Sequence, residues 1–417
     1  MWDDYICALD LGSSKISVVL AQIRKGRIHN LFFETVPSKA VKRGIIVNPL
    51  ELSISIDGLL KILKDKSRIN FKSIHMSISG ESITAKHSQA VIPLAERANK
   101  LITSSDIEKV IEQARILGCG LEEEIIHQIP YRFAIDSVDN ILNPLGLYSH
   151  RLELDLYLVC VRSSFIQNFT RIVNQIGYEI EDLFFSGIAT SATILNKDDA
   201  QGANLVCDIG ADTTEVILFK EGLARDIEIL PLGGEDLTQA VAEELKISSE
   251  LAEEIKINHA NIGEQDLMKE DKEILLKKGD VYKPIKQKWI SQIVTAKAEE
   301  IFKDIKDEVE KITASCPIDN FTIVGRTALL EGFLEGLENH LGIPVRLGRI
   351  VNPRIGHLSS RYETLSGQRY LTYITPLGII CEVLDRREKS PFYLPQPPKN
   401  FICKVIDKIK EVYQEYF

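Results

Sequence analysis

Asp10-Leu11-Gly12-Ser13-Ser14-Lys15 is a run whose residue types suit a phosphate group. Gly12 admits close approach of the backbone, and successive N–H groups in such a turn form an anion nest. Ser13 and Ser14 add hydroxyl donors, Lys15 adds a point charge, and the Asp10 carboxylate can hold a hydrated Mg2+. The same run also reads as an ordinary hairpin turn, because Asp, Gly and Ser are common there. Recurrence separates the two readings. Leu205–Phe219 reads LVCDIGADTTEVILF, where Asp208 and Gly210 match Asp10 and Gly12, and Thr213-Thr214 supplies the hydroxyl pair.

Both turns need strands on either side. Tyr5–Leu9 is a short apolar run, and Ile16, Val18 and Leu20 alternate with Ser17, Val19 and Ala21. Lys25-Gly26 turns this copy into a third strand about Ile28–Phe33, and Glu221-Gly222 turns the second copy into Ala224–Leu230. Each copy continues into a Gly-containing loop and a helix: Arg43-Gly44 before Leu50–Leu63, and Gly233-Gly234 before Glu235–Leu245. A duplicated three-strand meander with a helix implies two similar lobes. Their phosphate turns, facing one another across a cleft, would clamp one nucleotide from both sides.

With these motifs the chain resembles the actin/Hsp70/sugar-kinase superfamily of ATP-binding proteins. The third motif expected there is a strand, a Gly-rich turn and a helix start, which Phe321–Val324 and Gly325-Arg326-Thr327-Ala328-Leu329-Leu330-Glu331-Gly332 supply. Within the superfamily the chain resembles the bacterial cell-division family FtsA. Asn143-Pro144-Leu145-Gly146, Arg151-Leu152-Glu153-Leu154, Ile180-Glu181-Asp182-Leu183, Leu232-Gly233-Gly234, Ala252–Ile257 and the tail from Phe401 carry that likeness. It implies a two-lobed α/β actin-like ATPase fold with an inserted small α/β domain and a C-terminal amphipathic helix. The first lobe (1A) is expected over 1–80, 163–200 and 376–386, and an inserted domain 1C that contacts neighbouring subunits over 81–162. The second lobe (2A) is expected over 201–245 and 314–375, a subdomain 2B that meets the tubulin-like protein FtsZ over 246–313, and a linker over 387–399.

The resemblance implies ATP and Mg2+ as cofactors. Gly12, Ser13, Ser14 and Lys15 would hold the phosphates from one side and Gly210, Thr213 and Thr214 from the other, with Asp10 and Asp208 on Mg2+ through water. Gly233, Gly234, Glu254, Lys256, Gly325 and Arg326 are expected near the rest of the nucleotide. Three departures stand out. Ala211 and Asp212 replace two glycines of the usual second phosphate turn, and Glu215 replaces its last Asp. Asp212 brings negative charge towards a triphosphate, which Mg2+ or Lys15 must offset. Arg326 replaces the second Gly of the adenosine turn, so its bulk crowds the adenine or its guanidinium stacks on it. No residue that would orient an attacking water is evident, so the chain is expected to be at most a slow ATPase.

Composition fits this reading. The 417 residues exceed one core, 26% of them are charged, and the net charge of −10 argues against a general nucleic-acid binder. Seven scattered cysteines with no Cys-x-x-Cys suit a reducing cytosol. The eight histidines lack metal-ligand spacing.

The last 18 residues, NFICKVIDKIKEVYQEYF, place Phe401, Ile402, Val405, Ile406, Ile409, Val412, Tyr413, Tyr416 and Phe417 on one apolar helical face. The segment is too short and too charged to span a bilayer but suits its interface. Pro391, Pro395, Pro397 and Pro398 make the preceding stretch a semi-extended linker. The expected protein is cytoplasmic and peripheral on the inner face of the cell membrane at the division site. Its partners would be FtsZ, lipid, other division proteins and further copies of itself in an actin-like filament. Alternatives are a PilM-like pilus-assembly protein or a small-molecule kinase of the same superfamily; an Hsp70-like chaperone would need a peptide-binding domain that the remaining chain is too short to form.

Overall fold

The strand Asp4–Leu11 is buried through most of its length, and its flanking strands follow from how it pairs. It runs antiparallel to Lys15–Arg24, which runs antiparallel to Arg27–Pro37, and parallel to Ser73–Ile78, which in turn pairs with Glu179–Phe185. The computed structural model describes residues 4–95, 99–136, 138–195, 202–263, 272–278 and 281–388. A second sheet repeats the plan: Ala203–Ile209 lies between the antiparallel hairpin of Thr214–Lys220 with Leu223–Leu230 and the parallel strands Asn320–Val324 and Val345–Leu347. Read from the third strand of each meander, both five-stranded sheets have the same order.

The duplication extends to individual hydrogen bonds. Asp10 pairs with Ser17 and Leu11 with Ile16, as Asp208 pairs with Glu215 and Ile209 with Thr214. Each turn is therefore four residues long. The Gly12 N–H donates to the Lys15 carbonyl at 3.0 Å, and the Gly210 N–H to the Thr213 carbonyl at 2.9 Å. The next hairpin in each copy turns on a residue pair at positive φ, Lys25-Gly26 and Glu221-Gly222. Such turns match the twist of the strands they join.

Period-2 burial divides the second sheet between two cores. Leu205, Cys207 and Ile209 face helices Gly234–Leu245, Ser249–His259 and Gln287–Ser315, whereas Val206 and Ile217 join the core that fills the first lobe. Helices Ser186–Ile194 and Ile374–Glu388 lie between the sheets and pack on one another. Their approach is close. A Cβ on Gly378 would stand 1.7 Å from the Ala189 carbonyl oxygen. Thr193 donates to the Ile374 carbonyl at 2.9 Å, and the Thr190 and Thr375 hydroxyls are 2.9 Å apart.

Between Ser73–Ile78 and helix Ser163–Gln175 the chain leaves the first lobe to form a small domain. Its sheet runs Val138–Ile141, Glu123–Ile135, Arg151–Arg162, Ile83–Pro93, with helix Ser104–Gly118 on one face. Arg151–Arg162 is buried on both faces: Leu152, Leu154, Leu156, Leu158 and Cys160 sit under the helix, while Tyr157, Val159 and Val161 enter the first-lobe core.

Several elements lie beyond what the motifs in the sequence specify. Strand Glu123–Ile135 runs through Pro130, where its register with Arg151–Arg162 shifts. A bulge there accommodates the missing N–H. The stretch Lys246–Lys288, rich in charged residues, contains helix Ser249–His259 with Ala252, Ile255 and Lys256 buried, then a hairpin of Glu273–Lys278 with Val281–Lys286. The third motif turns through a short 3-10 helix, Thr327–Leu329, before its α-helix Phe333–Leu341 begins. Residues 196–201, the linker from 389 and the C-terminal segment 400–417 lie outside the described residues. Among the described residues no helix is long and apolar enough to cross a membrane.

Candidate functional site

The two Asp-x-Gly turns end adjacent central strands of the two sheets, and the first carboxylate of each converges on one region between the lobes. Asp10 accepts hydrogen bonds from Ser77 at 2.7 Å and Ser17 at 3.4 Å. Asp208 accepts from Thr190 at 3.4 Å. Burial, with the Asp10 charge nearby, pushes the Asp208 carboxyl up to about 6, against the opposing effects of Lys15 and the Thr190 hydroxyl. Lys15 reaches across this region and donates to the Thr372 carbonyl at 2.5 Å. Burial lowers its ammonium to about 8; Asp10 and Asp208 oppose that shift, and the Arg326 guanidinium adds to it.

Below Asp208 lies a third carboxyl. Glu215 is buried, with the Ser186 hydroxyl 2.7 and 2.9 Å from its two oxygens. Burial and the Asp208 charge hold its carboxyl well above the usual range, against the opposing effect of the Ser186 hydroxyl. Two facing carboxylates, Asp10 and Asp208, beside a lysine form a donor set that fits a hydrated divalent cation bound with an anion.

The second turn is held by the motifs that follow it. The Gly234 N–H donates to the Gly210 carbonyl at 3.0 Å and the Glu235 N–H to the Ala211 carbonyl at 2.7 Å. Thr327 donates to the Gly210 carbonyl at 2.8 Å. Gly325 has φ +91°, and a Cβ there would stand 2.2 Å from the Ile209 carbonyl oxygen and 2.9 Å from Asp208 Oδ1. Only glycine meets both demands. Behind Gly234, Lys256 donates to its carbonyl at 2.8 Å and to Thr238 Oγ1 at 2.7 Å, and pairs with Glu253 at 2.5 Å. The structure thus gathers Gly210, Gly233, Gly234, Gly325 and Lys256 around one turn.

Other expected residues sit differently. Register sets Ser13 and Ser14 opposite Ala211 and Asp212, and Lys15 opposite Thr213, so Thr213-Thr214 is not the counterpart of the serine pair. Thr214 is fully buried and donates to the Leu232 carbonyl at 2.9 Å, which commits its hydroxyl to the fold. Glu254 is exposed, on the far side of its helix from Lys256. Glu253, one residue earlier, faces Thr238 and Lys256; the spacing from Lys256, three residues, was the available signal. The Asp212 carboxylate accepts from the Arg43 N–H at 2.9 Å, in a loop of the other lobe, so it has a partner within the protein. Lys39 pairs with Glu250 across the same gap.

Comparison with known proteins places this geometry. A family model described as cell division protein FtsA matches residues 205–374, and a model of the SHS2 domain inserted in FtsA matches residues 80–160. The cell division protein FtsA of Borreliella burgdorferi is 28% identical over 348 residues, covering 82% of this chain and 84% of its own length. That of Streptococcus pneumoniae is 26% identical over 399 residues, covering 94% and 86%. The chain belongs to the FtsA family. Its inserted domain is the SHS2 domain of that family, and cell division is the process in which FtsA proteins take part. Among solved structures, the PilM–PilN type IV pilus biogenesis complex superposes with a TM-score of 0.65 at 15% identity, over 91% of this chain and 98% of that one. That likeness is one of fold.

Proposed function

We propose that this FtsA-family chain binds ATP with Mg2+ between its lobes and assembles, closed, into an actin-like filament that tethers FtsZ to the inner face of the membrane. The observation that carries the reading is the pair of equivalent turns, Gly12–Lys15 and Gly210–Thr213, with Asp10, Asp208 and Lys15 converging between them. Asp10 and Asp208 would hold Mg2+ through water, and the ion would neutralise phosphate charge in the cleft. Backbone N–H groups of both turns, with the Ser13 and Ser14 hydroxyls and Lys15, would bind the phosphates. Gly233, Gly234 and Gly325 would shape the wall beside the nucleoside.

Because the nucleotide touches both lobes, binding favours their closed arrangement. Helices Ser186–Ile194 and Ile374–Glu388 are the elements about which closure turns. Filament formation would then multiply weak anchors. Each copy contributes one amphipathic segment over 400–417, and several acting together bind a surface that one alone holds loosely. FtsZ, on this reading, meets subdomain 2B over 246–313.

Co-sedimentation with vesicles containing anionic lipid tests the tether. The full chain should pellet with ATP and Mg2+, a chain ending at Lys399 should not, and Ile406→Glu should stay in the supernatant, because a charge would sit mid-face in the acyl boundary. If the shortened chain pellets as well as the full one, the tether reading fails.

A further inference from the structure

Arg326 stands where an adenosine turn carries glycine, but its side chain does not stay beside that turn. Its Nη2 donates to Ser14 Oγ at 3.3 Å, across the cleft and 312 residues earlier in the chain. Ser14 belongs to the phosphate turn of the other lobe. The guanidinium is exposed, so a ligand entering the cleft meets it directly.

We infer that Arg326 recognises phosphate: it is the cation that the second lobe supplies to the phosphate turn of the first. The inference rests on the nucleotide reading above and adds to it which part of the nucleotide this residue reads. Three observations carry it. First, the two turns are unequal. Lys15 gives the first turn a cation, while the equivalent register position in the second is Thr213. Arg326, in the neighbouring motif, restores a positive charge to that side. Second, Lys15 and Arg326 converge although both are cations, and the Arg326 charge helps to lower the Lys15 ammonium. Their hydrogen-bond acceptors are neutral, the Thr372 carbonyl and the Ser14 hydroxyl. Among the described residues Arg326 makes no ion pair. Two adjacent cations bonded to neutral acceptors gain most from an anion placed between them. Third, the nearest acidic departure of this chain, Asp212, has its carboxylate on the Arg43 N–H and does not compete for the guanidinium.

A side chain stretched towards Ser14 is not stacked on a base, and the two roles give different answers in one experiment. Calorimetric titration of the full chain, Arg326→Gly and Arg326→Lys with ATP–Mg2+, ADP–Mg2+ and adenosine separates them. Thermal unfolding of each variant establishes that it is folded. A charge-assisted hydrogen bond is worth enough that Arg326→Gly should weaken ATP and ADP by about 10-fold or more. Adenosine should change by less than about twofold, and Arg326→Lys should recover part of the ATP loss. Equal losses for ATP and adenosine would show stacking, and tighter ATP binding by Arg326→Gly would show crowding; either overturns the inference while leaving the nucleotide site in place. If the unaltered chain binds neither ATP nor ADP, the nucleotide reading itself fails, and this inference with it.

Discussion

Replacing Gly325 with alanine tests how tightly the third motif is pressed against the phosphate turn. The new methyl group meets two separate obstacles. An L-residue at φ +91° is strained, at about 1–2 kcal/mol. The Cβ would also lie 2.2 Å from the Ile209 carbonyl oxygen and 2.9 Å from Asp208 Oδ1, so the backbone of one strand must move, which costs about 1–3 kcal/mol. Together Gly325→Ala should lose about 2–5 kcal/mol of stability. Gly342 provides the control. Its φ is +69° and nothing lies within 4 Å of where its methyl group would stand, so Gly342→Ala should lose only the conformational part, about 1–2 kcal/mol. Urea unfolding followed by far-UV circular dichroism measures both. Mg2+–ATP affinity should fall in Gly325→Ala, because Asp208 is displaced, and be unchanged in Gly342→Ala. Equal stability losses in the two variants, with equal nucleotide affinity, would refute the close approach and the placement of Asp208 with it.

Nucleotide affinity should depend on pH from both sides. As pH falls through about 6, Asp208 takes up a proton and Mg2+-dependent binding weakens. As pH rises through about 8, Lys15 loses its charge and binding weakens again, so calorimetry across this range should give a maximum near neutrality. Glu215 makes a prediction for stability. Its folded-state carboxyl is raised, so its contribution is complete below the ordinary carboxylate range and declines as pH rises above it. Glu215→Gln, which keeps an acceptor for Ser186, should therefore flatten the fall in urea stability between acid and neutral pH; an unchanged slope would mean that Glu215 is ionised.

Much of this architecture was readable because it is written twice. The two Asp-x-Gly turns, the Lys25-Gly26 and Glu221-Gly222 hairpins and the alternating strands between them are local patterns, set by sterics and side-chain period. The inserted domain was expected from the family resemblance, and the buried stripe of helix Ser104–Gly118 forms part of its core. What escaped depended on register or on partners far away in sequence. Residue type alone aligned Thr213-Thr214 with Ser13-Ser14, whereas the four-residue turn aligns Thr213 with Lys15. Asp212 looked like a charge aimed at phosphate, yet its acceptor role is to a backbone N–H 169 residues away. Glu253 pairs with Lys256 three residues on, a spacing that the sequence shows, but its second partner, Thr238, is fixed only by the fold. The hairpin Glu273–Lys278 with Val281–Lys286 was hidden by its lysines and by Pro284, which mask the strand pattern.

The central claim is that one nucleotide is clamped by two equivalent turns, and calorimetric titration of ATP–Mg2+ into the full chain, Gly12→Val and Gly210→Val tests it most directly. A Cβ at Gly12 would stand 3.0 Å from the Lys15 carbonyl oxygen, and one at Gly210 would stand 2.8 Å from that of Thr213, so valine must distort either turn. The unaltered chain should bind one ATP, and each variant, still folded, should lose that binding although the altered residues lie in different lobes. Undiminished binding by either folded variant, or no binding by the unaltered chain at millimolar ATP, would contradict the two-sided clamp.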